Sequence, residues 1–172
     1  MSERPGVNSA QIDEKDLRRV FGCFPSGVTA VCSLDGAQPI GIAASSFTSV
    51  SINPPLVSVC ISNTSTTWPR LRERPRLGLS VLAHDQESAC RALAAKEQDR
   101  FVGLSWRMGQ SASVLIDGAV AWLECSIHAE LEAGDHSVVL LRIHDLGADH
   151  GAEPLIFHGS RFRELARLTP EA

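Results

Sequence analysis

Several residue types are scarce or missing in this 172-residue chain, and their absence argues against whole classes of function. There is no tyrosine, and aromatic residues make up only 5% of the chain, so no series of rings is available on which nucleic-acid bases would stack. The net charge of −4 lacks the basic excess that is typical of nucleic-acid-binding domains. No apolar run approaches the roughly 20 residues that a membrane-spanning helix requires. The sequence therefore predicts neither a nucleic-acid partner nor a membrane span.

Motifs for metal binding and for common catalytic machinery are also missing. The chain has no G-x-G-x-x-G, G-x-S-x-G or H-E-x-x-H motif, and its six histidines lack the spacing of metal ligands. Its five cysteines are dispersed, with no C-x-x-C pair, which fits buried reduced thiols better than disulfides or a zinc site. The N-terminus lacks the apolar segment of a signal peptide. We therefore predict a cytoplasmic protein with no metal and no catalytic side-chain machinery.

The length suits one domain, because a chain of about 150 residues buries roughly 70% of its unfolded surface. Residues 1–12 are polar and are predicted to form a disordered tail, and residues 13–168 a single domain. A helix is expected to begin at Asp13 and to end before Pro25. Its apolar side is formed by Leu17, Val20, Phe21 and Phe24.

Alternating apolar patterns and turn residues predict about seven strands, including residues 27–33, 76–83, 119–131 and 136–146. Gly134 is expected to form the tight turn of a long hairpin. Short helices are expected at residues 67–73, from a cap at Asp85 or Ser88 to about Lys96, and weakly at residues 161–168. Because the strands mostly follow one another without long helices, we predict a mainly β fold, a closed or partly closed antiparallel barrel.

Residues 41–62, which read GIAASSFTSVSINPPLVSVCIS, organise the candidate site. Small residues open the segment and allow close approach to the backbone. Serine and threonine hydroxyls follow, and the Asn53-Pro54-Pro55 turn leads into a second strand and a second polar loop, residues 62–67. Two strands would thus deliver two hydroxyl-rich segments to one site. The alternative is that these side chains serve only the turns that Ser, Thr and Asn favour.

Five segments carry a resemblance to a known family when they are taken in order. They are SGVTAV (residues 26–31), the segment 41–62, DRF (residues 99–101), AWLECSI (residues 121–127) and GDH (residues 134–136). The chain resembles the short-chain flavin reductases from about residue 17 to residue 165. These are homodimeric FMN-binding split barrels, with a Greek-key-like antiparallel arrangement, that serve two-component flavin monooxygenases. The resemblance implies an NAD(P)H:flavin oxidoreductase that uses NADH or NADPH to reduce FAD or FMN and releases the reduced flavin to a partner monooxygenase.

The resemblance also implies which residues contact the flavin. The isoalloxazine and ribityl positions correspond to Ser26, Ala43, Ala44, Ser45, Ser46, Phe47 and Ser49. The phosphate positions correspond to Cys60, Ile61, Ser62, Ser65 and Thr66, whose hydroxyls and loop N–H groups suit an anion. Arg100 would add a charge-assisted hydrogen bond, or it is an ordinary surface arginine.

A second set of residues corresponds to contacts with the nicotinamide nucleotide, namely His136, Arg161 and Phe162. The alternative for His136 is a hairpin-turn histidine held by Asp135 or by the backbone. The sequence departs from the family pattern at Leu141, where many relatives have glycine, and at Arg142. At Arg161-Phe162 an aromatic residue such as tyrosine is commoner.

Two other functions remain compatible with the same fold. One is a flavoprotein that retains FMN tightly, similar to the pyridoxamine-phosphate-oxidase-like enzymes. The other is a non-catalytic flavin- or haem-binding module. A reductase that releases its flavin is expected to bind it near micromolar, or about −8 kcal/mol, whereas the first alternative would not exchange it.

Overall fold

A computed structural model describes residues 12–96 and 99–166 of the chain. The predicted disordered tail falls almost wholly on residues 1–11, outside the described residues. The helices are α1 (Glu14–Phe21), α2 (Trp68–Leu71) and α3 (Glu87–Ala94). The strands are β1 (Ser26–Gly27), β2 (Thr29–Asp35), β3 (Gln38–Ala44), β4 (Thr48–Ser51), β5 (Leu56–Ser62), β6 (Leu77–Val81), β7 (Trp106–Met108), β8 (Val114–Ile116), β9 (Ala121–Ala133), β10 (His136–Ala148), β11 (Ile156–His158) and β12 (Arg161–Arg163).

Seven antiparallel strands form the main sheet, in the order β3-β2-β6-β9-β10-β5-β4. The long hairpin of β9 and β10 turns at Gly134 with φ +67°, a left-handed conformation that favours glycine, as the sequence predicted. Inside the sheet lies a core cluster that includes the buried side chains of Val59, Leu79 and Val139. The mainly β, antiparallel fold class is therefore confirmed.

The main sheet curves so that the end of β3 meets β5. The Ser46 hydroxyl, just beyond β3, accepts a hydrogen bond from the Cys60 N–H at 2.8 Å and donates one to the Cys60 carbonyl at 3.1 Å. β3 and β5 are not paired by a ladder of backbone hydrogen bonds, and these two side-chain bonds connect them instead. A second core cluster, including Val28, Leu82 and Leu93, lies under α3 and the smaller β1-β11-β12 sheet.

The predicted start of α1 is confirmed, since the Asp13 carboxylate accepts a hydrogen bond from the Lys15 N–H. The helix ends at Phe21, well before Pro25. None of its residues is buried, and Phe21 and Phe24 are 68% and 78% exposed. The apolar side of α1 thus lies on the surface of this chain.

Three local predictions were wrong. Residues 161–163 form strand β12, not the start of a weak helix, because Phe162 pairs with Phe157 of β11; residues 167–168 lie outside the described part. Neither Asp85 nor Ser88 caps α3, which begins after Gln86. The described residues also contain twelve strands where about seven were expected, since short segments such as β7 and β8 pair with each other away from the main sheet.

A buried carboxylate holds the segment that precedes β8, which lies outside the main sheet. Glu124 on β9 is 3% exposed and accepts hydrogen bonds from the Gln110 N–H at 2.7 Å and the Ser113 hydroxyl at 2.8 Å. A side chain at Gly109 would collide with this carboxylate, so only glycine fits there. All five cysteines are free thiols, and no helix in the described ranges is long and apolar enough to cross a bilayer.

Candidate functional site

A cavity of about 640 Å³ lies where β3 and β5 end, and we call it the central cavity. Its size falls within the range of small-molecule sites. It is lined by residues 42–46, residues 60–62 and residues 64–66, together with side chains of α3 and the following loop, Arg100 and His136. The two hydroxyl-rich segments therefore meet at one cavity, as the sequence predicted.

Two further cavities adjoin the central cavity, one at each end. The α1 cavity, of about 520 Å³, lies beside Phe21, Phe24 and His158 and shares Ser45 and His136 with the central cavity. The Arg70 cavity, of about 430 Å³, lies beside Pro39, Arg70 and Asp99 and shares Thr66, Lys96 and Arg100 with it. The three cavities form one row, with His136 at one junction and Arg100 at the other.

The small residues of β3 have two separate roles. Ala43 and Ala44 line the central cavity and leave the strand backbone open to a ligand. At Gly41, by contrast, an added Cβ would meet the Cys32 sulfur at 2.5 Å and the Phe101 ring at 3.1 Å. Gly41 is thus required for close packing within the chain, whereas the sequence suggested that its small size serves a ligand.

The loop after β5 presents several hydroxyls, some of which already hold the loop itself. The Ser62 and Thr64 hydroxyls lie 2.9 Å apart and bond to each other. The Ser65 hydroxyl accepts a hydrogen bond from the Trp68 N–H at 3.1 Å, at the start of α2. Thr66, which lines two cavities, is exposed. Turn chemistry and ligand binding are therefore compatible here, because the hydroxyls that shape the loop also face the cavity.

Arg100 is not an ordinary surface arginine. Its Nη1 donates to the Gly41 carbonyl at 2.8 Å and to the Thr67 hydroxyl at 2.9 Å, and the residue is half-buried. Both bonds come from one nitrogen, so the Nε and Nη2 donors of the guanidinium remain for an anion. The contacts fix a positive charge at the junction of the central and Arg70 cavities, and the hydroxyls of the β5 loop line the same central cavity.

His136 begins β10 and lies opposite Ser62 of β5 in the strand register. Its Nδ1 is 2.8 Å from the Asp135 carboxylate, and its side chain is 44% exposed. The hydrogen bond from His136 holds the pKa of the Asp135 carboxyl below its usual range. This contact fixes the imidazole at the junction of the central and α1 cavities, with Nε2 left for a ligand.

Eleven of the sixteen predicted ligand residues line the central cavity: Ala43, Ala44, Ser45, Ser46, Cys60, Ile61, Ser62, Ser65, Thr66, Arg100 and His136. Ser26 lines the α1 cavity instead. The other four line none of the three cavities. Phe47 packs against the first core cluster, Ser49 lies exposed on β4, and Arg161 is exposed on β12. Phe162 packs edge-on against Phe157 and beneath the Arg91 guanidinium.

Several cavity residues were not found by sequence reasoning. Lys96 follows α3 and Arg70 lies on α2, two surface helices in which single cations are commonplace, so neither position carries a local signal. Phe21 and Phe24 were assigned to the apolar side of a helix, not to a site. Thr64 could have been predicted from the sequence, because it lies inside the polar loop of residues 62–67.

The chain is similar to proteins of known family. Residues 21–166 match the family model described as "Flavin reductase like domain". The chain belongs to this family. It is 38% identical over 163 residues to a flavin reductase of Pseudomonas putida, covering 94% of this chain and 95% of that protein. The family resemblance seen in the ordered sequence segments is thereby confirmed.

Other members of the family give a structural comparison. The NADH:FAD oxidoreductase SgcE6 of Streptomyces globisporus C-1027, solved in complex with NAD and FAD fragments, is 43% identical with a TM-score of 0.83, covering 94% of this chain and 98% of that one. The flavin-dependent monooxygenase reductase subunit HsaB of Rhodococcus jostii RHA1 is 32% identical, covering 94% of this chain and 85% of that protein. The split-barrel fold predicted for this chain is the fold of the family.

The central cavity fits a flavin by the chemistry of its lining. Backbone and small side chains of β3 offer a flat wall for a ring, while hydroxyls and a fixed guanidinium suit a phosphate. No group of three or more metal-ligating side chains occurs among the described residues. The titratable side chains that line the cavity are Cys60, Lys96, Arg100 and His136. The lining is therefore suited to binding and orienting a ligand.

Proposed function

We propose that this chain is an NADH-dependent flavin reductase that reduces FAD or FMN and releases the reduced flavin to a partner monooxygenase. The observation that carries the proposal is the row of three cavities, with His136 fixed at one junction and Arg100 at the other. The names of its relatives support NADH as the reductant, a flavin as the molecule that is reduced and a monooxygenase as the partner.

The flavin ring is assigned to the β3 side of the central cavity, against Ala43, Ala44 and Ser45. Its phosphate is assigned to the other end, which Arg100 and residues of the loop 62–66 line together. There the Nε and Nη2 donors of the guanidinium and the hydroxyls together suit a dianion. Ser46 positions this wall indirectly, because its hydroxyl is bonded to the Cys60 backbone.

The nicotinamide is assigned to the junction that His136 forms with the α1 cavity. Hydride transfer between the two rings is chemistry that the nucleotide and the flavin themselves supply, so the chain has to align them and keep them together. Asp135 holds the imidazole by its Nδ1 and leaves Nε2 to bond the nucleotide. Ser26 and His158 line the same cavity and are further candidates for contacts with the nucleotide.

A turnover assay with added flavin tests this function. The purified protein is expected to be pale, and NADH oxidation is expected to rise with added FMN or FAD and to saturate in the micromolar range. Stoichiometric flavin that does not exchange, with no response to added flavin, would favour the tightly binding flavoprotein. Bound flavin with no NADH oxidation at all would indicate a binding module.

A homodimer is part of the proposal and is supported by the surface of α1. Phe21 and Phe24 are 68% and 78% exposed, although both line the α1 cavity, so a second subunit on this surface would also enclose the nicotinamide site. Phe24→Ser is expected to lower the mass measured by light scattering from dimer to monomer and to raise the KM for NADH. Ile52→Ser, at a position 93% exposed and outside the three cavities, is the matched control.

A cytoplasmic location is proposed as well. It is supported by the five free cysteines, two of which, Cys32 and Cys125, are fully buried and therefore lie too deep to pair with an outside thiol. Fractionation of cells that produce the tagged full chain tests this, and recovery with a membrane or secreted fraction would contradict it.

A further inference from the structure

Leu141 and Arg142, the two positions of β10 that depart from the family pattern, face opposite sides of the main sheet. Leu141 is fully buried in the first core cluster. Because successive side chains of a strand alternate between its two faces, Arg142 lies on the outer face, where it is exposed. Packing within the chain therefore explains the leucine but not the arginine.

Arg142 belongs to a row of polar side chains that crosses neighbouring strands on this outer face. It pairs with Ser126 of β9 in the strand register. Arg76 immediately precedes β6, which pairs antiparallel with β9, and the register places it on the other side of Ser126. The His144 Nε2 lies 2.8 Å from the Ser126 hydroxyl. We call these four residues, Arg76, Ser126, Arg142 and His144, the arginine row.

Neither guanidinium of the arginine row has a carboxylate partner. Arg70 and Arg107 pair with aspartates at 2.7 and 3.0 Å, whereas Arg76 and Arg142 form no ion pair among the described residues. Desolvation lowers the pKa of His144, and the charges of Arg76 and Arg142 lower it further. The imidazole is therefore mostly neutral near pH 7, and the row carries two positive charges.

Two acidic residues flank the arginine row on its own strands, and neither pairs with its arginines. Glu124 of β9 is 3% exposed and accepts hydrogen bonds from the Gln110 N–H and the Ser113 hydroxyl. Asp145 of β10 is exposed and accepts a hydrogen bond from the Leu146 N–H at 2.9 Å. The row is therefore a local cationic surface on a chain whose net charge is −4.

The arginine row is a surface and not a cavity. None of its four residues lines any of the three cavities, whereas small-molecule sites are concave. Arginine is enriched in protein–protein interfaces, and its planar guanidinium can bind a carboxylate through two parallel hydrogen bonds. Shape and charge together suit an acidic surface of a protein.

A second copy of this chain is a poor match for the arginine row. In a two-fold contact a surface meets its own copy, so the guanidinium groups of the two copies would face and repel each other. The row also lies on the same face of β10 as His136, which lines the central cavity. At about 3.3 Å per residue, Arg142 lies about 20 Å from His136 along the strand. A protein bound to the row would thus lie beside the central cavity.

We propose that the arginine row is a docking surface for an acidic surface of another protein. Under the proposed function that protein is the monooxygenase, which would then receive reduced flavin released about 20 Å from the contact. Only the identity of the partner rests on the proposed function, because the binding of an acidic surface requires neither flavin nor NADH.

A fluorescein-labelled polyglutamate peptide is the probe of this surface, and fluorescence anisotropy measures its binding to the full chain. Excess FMN is present so that the peptide does not occupy the central cavity. Wild-type protein is expected to bind the peptide at low ionic strength and to release it as the salt concentration rises above about 0.15 M. No binding by the wild-type protein at low ionic strength would overturn the inference.

Substitutions of single arginines separate the arginine row from general charge. Arg76→Gln and Arg142→Gln are each expected to raise the Kd for the peptide about threefold to fivefold, as for one exposed charge contact. Arg163→Gln is the control, because Arg163 is exposed on β12, forms no ion pair among the described residues and lines none of the three cavities. An equal effect of Arg163→Gln and Arg142→Gln would contradict the assignment.

Two further measurements distinguish the other possible occupants. Inorganic phosphate that displaces the peptide more effectively than chloride at equal ionic strength would assign the arginine row to a small anion. A lower mass of Arg142→Gln than of the wild-type protein in light scattering would assign it to a contact between copies of this chain. Either result would overturn the inference.

NADH oxidation with added FMN separates this inference from the proposed function. Arg76→Gln and Arg142→Gln are expected to match the wild-type rate, because the arginine row lines none of the three cavities. A lower rate in both variants would place the row in the flavin or nucleotide site and contradict the inference. If the wild-type protein binds the peptide but oxidises no NADH, the proposed function fails, and the docking surface stands without the monooxygenase as its partner.

Discussion

Replacing Arg100 separates the two tasks that its guanidinium performs, one structural and one for the ligand. Arg100→Gln removes the bonds to the Gly41 carbonyl and the Thr67 hydroxyl. Each such bond contributes about 1 kcal/mol, and both acceptors lie beside a cavity where water can replace the donor. We therefore expect a loss of stability of about 1–2 kcal/mol, which lowers the Tm of a chain of this size by about 2–8 °C.

The effect on flavin binding is expected to be larger and selective. A hydrogen bond between a guanidinium and a phosphate is worth roughly 1.5–3 kcal/mol, so the Kd for FMN and FAD should rise about 10- to 150-fold. Riboflavin has no phosphate, and its Kd should change only slightly. Arg100→Lys retains the charge but not the fork of donors, and it should recover part of the lost FMN affinity.

Fluorescence titration with the three flavins measures this selectivity, and thermal melts with and without FMN provide an independent value through ligand stabilisation. Arg107→Gln is a useful control, since Arg107 pairs with Asp117 away from the three cavities. If Arg100→Gln weakens riboflavin as much as FMN, the guanidinium shapes the cavity and does not hold the phosphate. Unchanged binding of riboflavin, FMN and FAD would show that Arg100 does not contact the flavin.

The other predictions concern single contacts. His136→Ala should raise the KM for NADH roughly tenfold and leave flavin affinity nearly unchanged; a loss of flavin binding in steady-state and titration data would contradict the nicotinamide assignment. Ser65→Ala should weaken FMN and FAD more than riboflavin, and it should also cost about 1 kcal/mol because the hydroxyl accepts from the Trp68 N–H; equal weakening of the three flavins would place the phosphate elsewhere. Glu124→Ala removes the acceptor of the buried Ser113 hydroxyl and of the part-buried Gln110 N–H and should lower stability by about 1–3 kcal/mol in denaturant titrations, with the Kd for flavin unchanged in the folded protein. Burial raises the pKa of the Cys125 thiol to about 12, so its thiolate forms only as the pH approaches that value, and a thiol reagent at pH 8 should modify it only after unfolding.

Much of this protein is determined by local sequence pattern. The alternation of apolar and polar residues marks the strands, and turn residues such as Gly134 and Asn53-Pro54-Pro55 mark their ends, because both signals depend on nearest neighbours along the chain. The two hydroxyl-rich segments were found in the same way. They follow two strands at the points where those strands end, and strands of one curved sheet can end at a common edge.

Tertiary structure decided which side chains face the cavities. Phe47 and Phe162 match positions of a family pattern, yet their rings pack into the two core clusters, while Lys96 and Arg70 carry no local signal and line the cavities. The direction of a side chain depends on strand register and on neighbours far away in the chain, and a shift of one residue turns it to the opposite face. Arg100 is the clearest case: its role depends on Gly41, 59 residues away, whose carbonyl holds the guanidinium in place, and no pattern within one segment contains that contact.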